Sequence, residues 1–215
     1  MEIMSTLRFL PVILLFTILV GACGRSELIR IRMLAPVNED KKDHAIFTDT
    51  TSSSSFTPVI TNKNVGGSLY FLFKSIGLGY TTVTTKMEKS DKNLTEKTTL
   101  VTKFADVAFG IGENYSFMWG AGVLSGGKWE TSLEYDSKTF NPNHNYLGGH
   151  SIFFVLCHHG FGFETLLGYR TNFIKAEFEE INSSDIGKTG KKFTYESNKI
   201  SLTTSQVQLG IGFTF

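Results

Sequence analysis

The stretch Phe161-Gly-Phe-Glu-Thr-Leu-Leu-Gly-Tyr-Arg-Thr-Asn-Phe173 decides the fold. Phe161, Phe163, Thr165, Leu167, Tyr169, Thr171 and Phe173 alternate with Gly162, Glu164, Leu166, Gly168, Arg170 and Asn172. Successive side chains of a strand point to opposite faces, so this period of two describes a sheet with one apolar, aromatic face. The same period returns in Val207, Leu209, Ile211, Phe213 and Phe215, and again in Tyr115, Phe117, Trp119, Ala121 and Val123.

Two soluble sheets packed face to face would also alternate. The other face separates the cases. A sheet facing water carries Lys, Glu and Asp there, whereas here it is mostly Gly, Ser and Thr with rare charges. Glycine inside a strand costs entropy and packing, so its repeated use needs a geometrical reason. Five pairs recur two residues apart: Gly77/Gly79, Gly110/Gly112, Gly120/Gly122, Gly160/Gly162 and Gly210/Gly212. The lumen of an eight-stranded barrel is just wide enough for side chains, and small residues there let larger neighbours fit. Bulges and bends are the competing use of such glycines.

The connections alternate in length. Lys74-Ser75, Glu113-Asn114 and His158-His159-Gly160 read as tight turns, and about 88–96, 127–145 and 179–198 read as long, charged loops. Outer-membrane barrels have short periplasmic turns and longer external loops. Seven strands are expected at about 65–73, 76–87, 97–111, 115–126, 146–157, 161–178 and 199–215. The first must descend into a short turn, so an eighth, rising strand is required before it. Three segments compete for that place: 45–51, 56–61 and 28–34, the last alternatively an amphipathic periplasmic segment.

The beginning of the chain reads as an export signal. Arg8 precedes the apolar run Phe9 to Val20, and Val20-Gly21-Ala22 supplies small residues for cleavage. That run is too short to cross a bilayer as a helix, which takes roughly 20 apolar residues. The expected organisation is a signal peptide at 1–22, a periplasmic linker or N-terminal segment at 23–43, and the barrel at 44–215. Val20-Gly21-Ala22-Cys23 resembles the lipobox of bacterial lipoproteins, which would make Cys23 a lipidation site. Cys23 beside an ordinary cleavage site, or in a disulfide with Cys157, are the other readings.

Charge and composition narrow the function. Lys and Arg (21) nearly balance Asp and Glu (20), which argues against a nucleic-acid surface. Phosphate-loop, dinucleotide and zinc-protease motifs are not evident, so no cofactor or metal is expected.

On these residues the chain resembles the small outer-membrane β-barrel proteins of the OmpX, OmpW and opacity-protein types and the membrane domain of OmpA. The resemblance covers the cleavable signal, roughly 150 residues of alternating strands, and the terminal strand Gln206-Val-Gln-Leu-Gly-Ile-Gly-Phe-Thr-Phe215. It implies an all-β, closed, antiparallel, up-and-down transmembrane barrel in a bacterial outer membrane, monomeric, among outer-membrane lipids and lipopolysaccharide. It also implies Phe215 as the signal read by the barrel-assembly machinery.

Few residues are left to carry function. Asp106, Glu164 and Arg170 fall on predicted inner faces, where charge is tolerated only if paired, and are expected to form a lumen network. A structural or surface-interaction role without catalysis is the leading expectation. A narrow pore for small apolar solutes is the first alternative and a lipid A-modifying enzyme the second. The enzyme would draw on His150-Ser151, yet adjacent strand residues point to opposite faces. The loop charges at Lys86, Glu88, Lys89, Asp91, Lys92 and Glu96, and later at Lys188, Lys191 and Lys192, are either solvated or in contact with lipopolysaccharide phosphates or a host surface.

Overall fold

In the computed structural model the residues described are 29–37, 48–49, 59–91, 94–112, 115–135, 138–141, 144–160, 163–178, 193–194 and 199–215. Eight long strands dominate: β1 (Ile29–Pro36), β2 (Val59–Phe73), β3 (Ile76–Asp91), β4 (Leu94–Ile111), β5 (Tyr115–Tyr135), β6 (His144–Gly160), β7 (Phe163–Phe178) and β8 (Lys199–Thr214). Each pairs antiparallel with its neighbours in sequence, and β1 pairs with β8 to close the wall. The chain is a closed eight-stranded up-and-down barrel. No helix occurs among the described residues.

The alternation read from the sequence sorts the side chains as expected. On β7 the even positions from Glu164 to Phe178 are buried and the odd positions from Phe163 to Tyr169 are exposed. Outward-facing Leu69, Phe71, Leu78, Phe154, Leu167 and Ile211 all stand exposed on the wall. A water-soluble barrel would not leave a contiguous apolar belt of this kind uncovered. Below the wall Lys74 and Ser75 form the turn between β2 and β3, with Lys74 in the left-handed region (φ 54°) and its ammonium over the Phe73 ring.

Five expectations are corrected. The eighth strand is Ile29–Pro36, which takes up the candidate segment 28–34, so the barrel begins inside the segment 23–43 assigned to a linker or N-terminal segment, and the boundary at 44 does not hold. Its amphipathic pattern belongs to the barrel wall, with Arg30 and Arg32 both buried and facing the lumen. Of the competing segments, Thr48–Asp49 pairs with Phe193–Thr194 in a separate two-stranded sheet, and 59–61 opens β2.

The second correction is the loop at 88–96. β3 runs to Asp91 and β4 starts at Leu94, with those two residues paired, so this is a tight hairpin. Glu88, Lys89 and Glu96 belong to strands that continue beyond the apolar belt, where Glu88 faces outward and Glu96 is buried inside. Third, β5 extends through the expected loop to Tyr135 and is followed by a short strand, Lys138–Phe140. A bulge opposite Lys103/Phe104 inserts one residue there, which moves Trp129 and Thr131 onto the inner face and ends the sequence period.

Fourth, His158 and His159 lie in β6, not in a turn, opposite Thr165 and Glu164. Fifth, β7 begins at Phe163 rather than 161, and 161–162 fall outside the described residues. The signal at 1–22, Cys23, Glu113-Asn114 and most of 179–198 also lie outside them.

Candidate functional site

The lumen is packed by two apolar layers. The layer nearer the short turns contains Leu34, Tyr70, Leu72, Met118, Phe153 and Leu166. The layer toward the long connections contains Met87, Leu100, Phe104, Trp129, Ile174 and Phe178. Arg170 joins them, its guanidinium 4.8 Å from the Phe104 ring centre and 5.4 Å from that of Phe153. Such stacking suits a planar, weakly hydrated cation.

Arg170 is fully buried and reaches across the lumen to Asp106 on β4. Nη1 donates to Asp106 Oδ2 and Nη2 to Oδ1, both at 2.9 Å. Nε donates to Asn172 Oδ1 at 2.9 Å, while Nη1 also meets Thr81 Oγ1 at 3.0 Å and the Tyr70 hydroxyl at 3.2 Å. Nη2 donates further to Ser151 Oγ. The Thr81 hydroxyl in turn donates to Asp106 Oδ2 at 2.6 Å. Every nitrogen of the fork is engaged, which is what a charge removed from water requires.

Glu164 does not join this cluster. It pairs with Arg32 of β1, whose Nε donates to Oε2 at 2.6 Å and whose Nη2 donates to Oε1 at 2.7 Å. Nη2 also donates to Ser116 Oγ at 3.0 Å, and Nη1 has no partner among the described residues. Glu164 and Ser116 each stand one residue in from the start of their strands, so this pair lies near the short-turn end. The expected three-residue network is therefore two separate ion pairs. Arg32 was not singled out because its segment was one of three candidates for the eighth strand, although Ile29, Ile31 and Met33 alternate with Arg30, Arg32 and Leu34 at the same period as the rest.

Glycines make room for both pairs. A methyl group on Gly122 would overlap Asp106 and lie 2.8 Å from Ser151 Oγ and 3.1 Å from Arg170 Nη2. One on Gly212 would lie 2.6 Å from Glu164 Oε2 and 3.1 Å from the Arg32 side chain. Gly79 and Gly120 likewise lie against the rings of Tyr70 and Phe153. Crowding, and not backbone conformation, explains these four positions.

The remaining candidates lie apart from this interior. His150 is exposed on the outer face and stacks on Phe173 at 5.0 Å, whereas Ser151 points inward to Arg170. His144 meets Phe178 edge-on at the upper rim. Cys157 is a buried free thiol in the lower layer. Phe215 is exposed, and its N–H and carbonyl bond with Ile29 across the closing seam. Among the described residues no group of three or more His, Cys, Asp or Glu is placed to hold a metal.

No family model matches the chain, and no curated protein matches it. Among solved structures it is similar to the crystal structure of the outer membrane protein OprG from Pseudomonas aeruginosa, at 12% identity and a TM-score of 0.47. The match covers 89% of this chain and 97% of that one. The closed wall is established by this chain's own pairing register and not by that likeness.

Proposed function

We propose that the chain is a bacterial outer-membrane barrel whose lumen is a structural core and whose activity lies on its surface. Support for the membrane comes from the belt. On β2 the stretch from Val65 to Phe73 carries only Gly and apolar residues outward, and at about 3.3 Å per residue and a tilt near 40° it rises roughly 23 Å. That is close to the apolar band of about 25 Å of such barrels.

The observation that carries the structural reading is the Arg170–Asp106 pair, fully buried between rings from both apolar layers. A solute crossing the lumen would have to break this pair and displace Phe104 and Phe153. That cost disfavours conduction. The separation of His150 and Ser151 onto opposite faces likewise counts against that pair as base and nucleophile of a lipid-modifying reaction.

Two measurements test the proposal. Unboiled protein in detergent should migrate faster than boiled protein, and a water-soluble protein with no shift would sink the membrane assignment. Planar bilayers containing the folded protein should show no discrete current steps, and vesicles no solute-dependent uptake. Reproducible conductance or uptake would replace the structural reading with a pore.

A further inference from the structure

Beyond the apolar belt, toward the long connections, the outward face changes character in one step. On β2 the outward residues leaving the turn end with Leu69, Gly67 and Val65, and Lys63 follows. On β3 they pass from Tyr80, Thr82 and Thr84 to Lys86. β4 passes from Ala105 to Lys103, β5 from Val123 and Ser125 to Lys128, and β7 from Phe173 to Lys175. All five lysines are exposed. On each of these strands the first outward charge met on leaving the belt is thus a lysine. Glu88, Glu130 and Glu177 come one outward position later.

The pairing register makes this a collar. Lys63 stands directly opposite Lys86, and Lys103 is opposite Thr82 and Gly126. Like charges directly opposite destabilise a sheet. Lys63, Lys86, Lys103 and Lys175 have no carboxylate partner among the described residues, while Lys128 contacts Glu130. An arrangement that is unfavourable for the barrel alone becomes favourable with an anion lodged between the ammonium groups. Its height, at the edge of the belt, is where a lipid headgroup sits.

We infer that this collar binds the phosphate groups of anionic lipid in the leaflet at the long-connection end. The inference rests on the membrane reading above. Ammonium groups on flexible stems follow headgroup phosphates without demanding one fixed geometry. The glutamates one outward position beyond would repel a phosphate placed further out, so the lysines set its depth.

The test uses the folded full chain in neutral detergent, mixed with bisphosphorylated lipid A, with its dephosphorylated form, or with lipid A plus inorganic phosphate. Lipid retained per barrel after gel filtration is measured by mass spectrometry. The native chain should retain the phosphorylated lipid over the dephosphorylated one by at least about tenfold, with retention falling as salt rises. The triple variant Lys63→Gln, Lys86→Gln, Lys175→Gln should lose about tenfold of that retention while keeping its heat-modifiable band.

Equal retention of both lipids by the native chain would overturn the inference, as would a folded triple variant that binds like the native chain. Displacement of the lipid by an equal concentration of inorganic phosphate would also overturn it, assigning the lysines to a free anion. If the variant fails to fold, discrimination by the native chain decides alone. A native chain that is water-soluble and shows no heat shift would remove the membrane reading and this inference together. A heat-modifiable native barrel that does not discriminate removes only the inference.

Discussion

The two ion pairs of the lumen are built from the same groups and answer to different surroundings. Arg170 uses every nitrogen, lies between two aromatic rings, and starts near the middle of β7. Arg32 makes a side-on pair with Glu164, keeps one hydroxyl partner, and leaves Nη1 without a partner among the described residues near the short-turn end. A charge far from either mouth has to be satisfied by protein. Arg32 is equally buried, and its orphan Nη1 carries the penalty of an unsatisfied donor that Arg170 avoids.

The largest effect should follow from Arg170→Ala. It strands the Asp106 carboxylate and takes a donor from the Tyr70 hydroxyl, Asn172 Oδ1 and Ser151 Oγ, at a cost of about 3–5 kcal/mol in urea unfolding of the lipid-refolded barrel. Replacing both partners, Arg170→Met with Asp106→Leu, should recover most of that loss, because no uncompensated charge then remains. Arg32→Ala should cost less, about 1–3 kcal/mol, since only Glu164 and Ser116 lose a partner there. Equal losses for the two arginines would abolish the distinction drawn between them.

Smaller again, and sharper in what it separates, is the comparison of Gly122→Ala with Gly212→Ala. Overpacking at Gly122 must move Asp106 against a full set of bonds, at about 1–3 kcal/mol. At Gly212 the added methyl overlaps less, its nearest neighbour being the end of the Glu164 side chain at 2.6 Å, so the melting shift should be the lesser of the two. The reverse order would mean that the pair near the mouth is the more rigid.

Much of this architecture was legible from residue order. The period of two, the glycines of the second face and the parity of the turns carried the strand count and the closed wall. Strand ends were not legible, because beyond the belt both faces become polar. The segment 88–96 then reads as loop although Glu96 within it is buried and points inward. Of the site, the inward facing of Asp106, Glu164 and Arg170 was readable, since charges on a face of small residues have nowhere else to go.

Partner choice was not readable. Glu164 and Arg170 share a face of one strand, yet each reaches across the lumen to a different strand, Glu164 to β1 and Arg170 to β4. Which groups meet depends on how the wall is sheared and wound, and that is a property of all eight strands together.

The seam between β1 and β8 carries a consequence for biogenesis. Seven of the eight junctions join strands that are adjacent in the chain, but the eighth matches Ile29 with Phe215 through a reciprocal pair of backbone bonds. Loop-closure entropy is largest for that one contact, so it is the natural last step. Until Phe215 has been synthesised and delivered, β1 keeps one bare edge, open to pairing with any stray chain. The edge is covered only when the two ends of the chain meet, so the closing seam couples the first strand of the wall to the last residue of the sequence.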